Sequence, residues 1–324
     1  MFARILLSML SLSMLAVAGG VAAQVQYPVK PIRLVIPYPP GGGTDILGRP
    51  IARLLGEKLG QSILVDNRGG ASGMVGAEIV ARSAPDGYTV LMSTSGEAAL
   101  NVALYPKMNY DPIRDFTPVT QVGLSPLVLV AHPSLPVRNV RDYIALAKKR
   151  PGSISYSSIG AGSAQHMAGE WLRLLTGIDI IHVPYKGGGP QMTDLLGGHS
   201  PSGILALPAA ASGIKNGRIR AIGMTSAKRS SAFPDVPTFA ESGMPGFEVS
   251  QWWAILVPRG TPNDIVAKLH TEISAIVKTA EMKGRMADLG VDPVGGTPEQ
   301  LGELVRTEIA KFRKIVADAK ITLN

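Results

Sequence analysis

The chain has 324 residues and no cysteine, which excludes disulfides, thiolate metal sites and cysteine nucleophiles. Its 32 basic and 24 acidic residues give a formal charge of +8, yet aromatics make up only 5% and the basic side chains are scattered, densest at Lys148-Lys149-Arg150 and Lys228-Arg229. No nucleic-acid arm is present, although the excess can attract anions weakly.

In chain order, Arg4 precedes an apolar run over 5–18, and Val21, Ala22 and Ala23 follow. This pattern reads as a secretory signal over 1–23, cut after Ala23. An uncleaved anchor is the alternative; a lipoprotein anchor is excluded because no cysteine follows the run. Loss of Arg4 lowers the charge to +7. No later apolar stretch approaches the roughly 18 residues of a membrane span. β-branched or aliphatic runs predict strands at 32–36, 63–65, 89–92, 127–131, 154–157, 178–183, 203–207, 218–224 and 253–257. Apolar spacings of three and four predict helices at 45–59, 74–82, 140–149, 164–175, 191–196, 262–278 and 298–319. Pro50 is expected to end or kink the first of these. In the last, Thr297 can cap, Pro298 suits the first turn, and Leu301, Leu304, Val305, Ile309, Phe312, Ile315 and Val316 form one stripe that needs a sheet to cover.

The alternation predicts an α/β architecture with mostly parallel sheets. At roughly 100–200 residues per domain, the length accommodates two domains. No linker divides them, but extended stretches at 119–125 and 248–253 suit two crossings between lobes. The first lobe is then discontinuous, 24–122 plus 250–324, and the second spans 123–249.

Four polar, glycine-rich turns follow predicted strands. The first, Pro37-Tyr38-Pro39-Pro40-Gly41-Gly42-Gly43-Thr44-Asp45, is a rigid approach to bare backbone at a helix start. Successive N–H groups there can converge on one carboxylate. Two other readings compete. A nucleotide phosphate loop lacks its Gly-Lys-Ser/Thr ending, and a plain turn would use Asp45 as a helix cap. The second turn, Ser158-Ile159-Gly160-Ala161-Gly162-Ser163-Ala164-Gln165-His166, also opens a helix; His166 suits a cap or packing role as well as a ligand contact. The third is His182-Val183-Pro184-Tyr185-Lys186-Gly187-Gly188-Gly189-Pro190 and the fourth Ser93-Thr94-Ser95-Gly96-Glu97. Ligands of open α/β sheets sit at the carboxyl ends of strands, so one shared cleft between two closing lobes is expected.

Enzyme signatures are absent from the sequence: no Gly-x-Ser-x-Gly elbow, no His-Glu-x-x-His helix, no histidine pair at metal spacing. His166 and Glu170, one turn apart, lack further ligands and read as a packing pair. Of the adjacent Trp252 and Trp253, one is expected in the core and the other at a hinge or cleft.

These same residues, with Tyr27-Pro28-Val29-Lys30-Pro31-Ile32-Arg33, Val65-Asp66-Asn67-Arg68-Gly69-Gly70-Ala71-Ser72-Gly73, Ala84-Pro85-Asp86-Gly87-Tyr88-Thr89 and Val236-Pro237-Thr238-Phe239-Ala240-Glu241-Ser242-Gly243, carry a resemblance over essentially the whole mature chain. It resembles the substrate-binding proteins of tripartite tricarboxylate transporters, also called the Bug family. The resemblance implies a two-lobed periplasmic-binding-protein fold of the Venus-flytrap, type II-like kind, with a mainly parallel sheet in each lobe and the ligand cleft between them. It implies no catalysis and no cofactor, a periplasmic location and a monomer. The implied partners are a small carboxylate (a di- or tricarboxylate, an amino acid or an aromatic acid) and the membrane permease subunits that receive it. The implied ligand contacts are Tyr38, Pro40, Gly41, Gly42, Gly43, Thr44, Asp45, Thr94 and Ser95 from the first lobe, and Ser158, Ala161, Ser163, His166, Pro184 and Tyr185 from the second. A receptor presenting its carboxylate to a membrane sensor kinase, or an unrecognised hydrolase, are the other functions the sequence leaves open. One departure from the family is His199-Ser200-Pro201-Ser202-Gly203, where relatives commonly carry an acidic residue, so Ser202 has no assigned role.

Overall fold

The computed structural model describes residues 27–318; the expected leader lies outside the described residues. Strand β1 (Ile32–Ile36) runs into helix α1 (Gly43–Leu59), followed by β2 (Ile63–Asn67), a 3₁₀ turn (Ala71–Gly73), α2 (Met74–Ala81), β3 (Thr89–Thr94), a π-turn (Gly96–Leu100) and α3 (Asn101–Leu104). The long β4 (Phe116–Ala131) leads to α4 (Val140–Lys149), β5 (Ser155–Ser158), α5 (Ala164–Thr176), β6 (Ile181–Pro184), α6 (Gly188–Leu196), β7 (Ser202–Ala206), α7 (Leu207–Lys215) and β8 (Arg220–Met224). After β9 (Ser250–Pro258) come α8 (Asn263–Lys278), α9 (Ala280–Asp288), the short β10 (Asp292–Pro293) and α10 (Pro298–Asp318).

The strands join in the order β2-β1-β3-β9-β4-β7-β5-β6, with β8 and β10 also on β4. β4 makes this one continuous path from two half-sheets. From Phe116 to Pro126 it pairs antiparallel with β9, whereas Leu127–Ala131 pair with β7 and Val128–Ala131 with β8. Pro126, which has no N–H to donate, stands at the exchange of partners. Outward from the join, β3-β1-β2 and β7-β5-β6 are each parallel ladders. Their carboxyl ends lead into the turns that meet across the cleft. β2 and β6, at the two edges, are only half buried, while the interior β1, β7 and β9 are apolar and almost wholly buried, as strands covered on both faces require.

Local chemistry explains the departures from the predicted elements. The first helix does not end at Pro50: that residue lies inside α1, which continues to Leu59. Proline forfeits one i→i−4 hydrogen bond, but Leu47, Pro50, Ile51 and Leu55 are all buried and hold the helix on the sheet. The strand expected over 178–183 begins only at Ile181; Ile178 and Ile180 fill the core without joining the ladder. At 207 the chain turns from strand to helix, with Pro208 in the first turn of α7. α9 is separated from α8 by Thr279, whose hydroxyl accepts from Met282 N at 3.3 Å. The last helix is capped as expected: Thr297 N donates to Gln300 Oε1 at 2.9 Å and Gln300 N to Thr297 Oγ1 at 3.3 Å, a reciprocal capping box. Its stripe Leu301, Val305, Ile309 and Phe312 is buried, and the helix packs on β4.

Helix α5 approaches β5 so closely that a Cβ on Gly169 would lie 2.2 Å from two ring atoms of the fully buried Tyr156. Gly169→Ala is therefore expected to lower stability by about 1–3 kcal/mol in urea denaturation. Gly284, in α9 with open space around it, is the contrast. There the same change should raise stability by about 0.4–1 kcal/mol.

Candidate ligand-binding cleft

The β1–α1 turn is shaped by a buried carboxylate. Asp45 lies inside the first turn of α1 and accepts hydrogen bonds from Gly41 N at 3.1 Å, Arg49 Nε at 2.9 Å and Asn67 Nδ2 at 3.1 Å. Burial alone would raise its pKa, but the bonds from Arg49, Gly41 and Asn67 together carry it below the ordinary value. Asn67, at the end of β2, also donates to Tyr38 O at 2.9 Å, fixing the other side of the turn. Gly41 has φ +85°, a left-handed conformation suited to glycine. Helix α1 then starts at Gly43 with no side chain capping it. The first N–H groups of a helix have no partner within it, so this uncapped end presents donors and the positive pole of the helix dipole. Thr44 Oγ1 accepts from Trp253 Nε1 at 3.1 Å, which ties the helix start to β9. The tryptophans divide as strand alternation requires. Gln251, which lines the inner cavity described below, and Trp253, bonded to Thr44, share one face of β9, and Trp252 takes the other, towards Leu304 and Phe312.

In the opposing lobe, the β5–α5 turn is closed by its own hydroxyls. Ser163 caps α5, accepting from His166 N at 3.2 Å and donating to Gly160 O at 2.7 Å, while Ser158 Oγ meets His182 Nε2 at 2.7 Å. His166 Nδ1 accepts from Gly162 N at 3.1 Å, and its ring stacks on His182 at 4.0 Å between centroids. Burial lowers the pKa of both rings, His182 to about 3, so both are neutral at pH 7. His166 thus supports the turn from behind.

The two lobes touch backbone to backbone. A Cβ on Gly188 would lie 3.1 Å from Gly42 Cα, and one on Gly189 only 2.2 Å from Pro40 O. Ser72 Oγ and Tyr105 Oη both donate to Ala161 O, the latter at 2.8 Å, and Gln165 Nε2 donates to Gln251 Oε1 at 2.7 Å. Ala71 and Ser72 hold left-handed φ values of 45° and 52° at this edge. For L residues that conformation carries a steric cost. Between the contacts lie two spaces. An inner cavity of about 20 Å³ is lined by Tyr38, Gly42, Gly43, Thr44, Ile159, Gln165, Gly188, Gln191, Leu205, Ala206, Ala209 and Gln251. An outer one of about 280 Å³ lies among Tyr38, Gly70–Gly73, Tyr105, Ile159–Ala161 and Pro184–Lys186. Larger or more apolar concavities occur elsewhere, as between Asn263, His270 and Arg306, but strand-end turns do not line them.

Behind Tyr38 sits a buried acid. Glu97, in the π-turn, accepts from Thr94 N at 2.5 Å, Thr94 Oγ1 at 2.8 Å and Tyr38 Oη at 2.9 Å. Burial pushes its carboxyl up to about 7 against these bonds.

Of the sequence-predicted residues, Tyr38, Gly42, Gly43 and Thr44 line the inner cavity, and Tyr38, Ala161, Pro184 and Tyr185 the outer one. Pro40, Gly41, Asp45, Thr94, Ser95, Ser158, Ser163 and His166 line neither. The glutamines 165, 191 and 251 were missed. Gln165 was visible in the helix-opening turn and Gln251 in the crossing strand; Gln191 had no local signal. The variant stretch 199–202 lies at the entry to β7, where Ser202 Oγ donates to Ser155 O at 2.7 Å, whereas the cavity meets Leu205 and Ala206 at its exit.

Residues 47–321 match the family model described as tripartite tricarboxylate transporter family receptor. Protein BugT of Bordetella pertussis is 39% identical over 310 residues, 94% of this chain and 95% of that protein. Among solved structures, R. palustris Rpa4515 with adipate is 39% identical with a TM-score of 0.89, covering 91% of this chain and 99% of that one. MatC from Rhodopseudomonas palustris with bound malate is 32% identical with a TM-score of 0.85, covering 90% of this chain and 100% of that one.

Because the folded Glu97 holds its proton up to about pH 7, against an ordinary value of 4.5, its contribution to stability is complete below pH 4.5 and lost as pH rises through 7. The neutral histidines act in the opposite sense, so the comparison is with Glu97→Gln. Native protein is expected to lose on the order of 3 kcal/mol relative to that variant between pH 4.5 and 8 in urea denaturation. Parallel pH profiles would remove Glu97 as the titrating group.

Proposed function

This chain belongs to the tripartite tricarboxylate transporter receptor family, and from that premise we propose that it captures a small organic carboxylate in the periplasm and delivers it to the membrane permease subunits of such a transporter. Members of the family are solute-binding receptors and not enzymes. The observation that carries the reading is the uncapped start of α1, whose free N–H groups border a cavity closed from the other side by Gly188. Similar proteins of known structure hold adipate and malate, which agree in being carboxylates.

In this reading Tyr38, Gly42, Gly43 and Thr44 form the first-lobe wall and Ala161, Pro184 and Tyr185 the second. Pro40, Gly41, Asp45, Thr94, Ser95, Ser158, Ser163 and His166 hold those walls in place. The moving bodies are 24–122 with 250–324, and 123–249. The exchange of partners along β4 and the adjoining β9 supply the two crossings about which they close. Each charge-assisted hydrogen bond contributes roughly 1.5–3 kcal/mol, and micromolar affinity needs about 8 kcal/mol net, so a few backbone donors and bridging waters suffice without a buried arginine.

Two measurements test this. In a thermal-shift screen of chain from Gln24 onward, freed of ligand by unfolding and refolding, a cognate carboxylate at about 100 times Kd should stabilise by about 2.7 kcal/mol; no shift with any acid counts against the carboxylate. Gly42→Val places its side chain against Gly188, where a Cβ already lies 3.4 Å from the backbone N. Calorimetric titration should show affinity reduced at least about tenfold, a change of roughly 1.4 kcal/mol, with the unliganded fold retained. Unchanged affinity would remove the loop from the site.

A further inference from the structure

The floor of the inner cavity carries a polar group left without a partner. Gln191 is fully buried, and its Nε2 donates to Ser157 O at 2.9 Å and Ile204 O at 3.0 Å. Both partners are backbone carbonyls, which only accept, so the orientation of the amide is fixed and Oε1 is its free end. That Oε1 is buried with no hydrogen-bond partner, and so is Oε1 of Gln165, whose Nε2 is engaged by Gln251. Tyr38, the phenol of the cavity wall, is already committed to Glu97. The cavity, with room for about one water as the lobes stand here, therefore has backbone donors on the α1 side and unpaired acceptors on the glutamine side, and an acid seated between them holds the lobes farther apart. A buried amide oxygen left unpaired is costly, so a bound molecule is selected for supplying a donor there.

We infer that the ligand is a carboxylate bearing a neutral hydrogen-bond donor, a hydroxyl or carboxamide, and that Gln191 and Gln165 are the residues that select for it. The donor is neutral because the cavity lining contains no Asp or Glu to balance a desolvated ammonium. This inference rests on the proposed carboxylate-binding function and deepens it by assigning the second end of the ligand.

Matched acids test it by calorimetric titration of the native chain from Gln24 onward: succinate, malate and aspartate as one series, glutarate, 2-hydroxyglutarate and glutamate as the other. The hydroxy acid that binds is expected to do so at least about tenfold more tightly than its unsubstituted and amino counterparts, as an acceptor lacking its donor disfavours the analogue. In Gln165→Met and Gln191→Met the ratio should fall to within about threefold; the Gln165 variant keeps the test decisive if loss of the Ser157 and Ile204 bonds unfolds the Gln191 one. Equal affinities in the native protein overturn the inference, since the cavity is large enough for one water that could donate instead. Tightest binding of an amino acid overturns the neutral donor. A ratio retained in a folded Gln165→Met variant and in a folded Gln191→Met variant overturns the assignment to these residues. If neither these acids nor the wider carboxylate screen yields any binding, the carboxylate reading fails and this inference with it.

Discussion

Two backbones can lie in van der Waals contact only where neither carries a side chain between them, and this constraint governs the protein. The β1–α1 turn and the start of α6 meet through Gly42 and Gly188, with Gly189 pressed against Pro40 O. A Cβ on Gly188 or Gly189 would hold the lobes apart. Removing side chains from the contact leaves peptide groups as the chemistry of the cleft, which explains why so few charged side chains line it. The buried acids are placed behind the turns instead: Asp45 accepts from Gly41 N through its carboxylate, and Glu97 anchors Tyr38.

This separation gives the residues of the turns two kinds of task. Gly42, Gly43 and Thr44 face the cavity, whereas Asp45, Ser163 and His166 determine where those faces lie. A hydrogen-bonded layer fixes backbone donors in advance of binding, so less ordering is left to oppose association. The tie from Trp253 Nε1 to Thr44 Oγ1 extends that layer into β9, one of the strands at the join of the half-sheets. The helix start facing the cavity is thus tied to a strand that pairs with β4.

Most of the fold was legible because it rests on local pattern. Alternation of apolar strands with amphipathic helices identified the α/β class, and the turns after β1, β3, β5 and β6 were each found by their glycines, prolines and hydroxyls. The misreadings have local causes too. Pro50 argued for a break that burial of the helix overrode, and Ile178 and Ile180 looked like strand because core packing uses the same apolar residues as a ladder does.

By itself, the sequence determined most of the strands, helices and turns, though not the helices α7 and α9, excluded cysteine chemistry, and located bare backbone at two helix starts, since these depend on residues adjacent in the chain. Tertiary structure decided which of those residues face one another. Gln165, Gln191 and Gln251 come from a helix start, another helix and a strand, and only the meeting of the half-sheets makes them one surface. It also gave Asp45 and His166 hydrogen-bond partners within their own turns, neighbours that folding alone brings within reach.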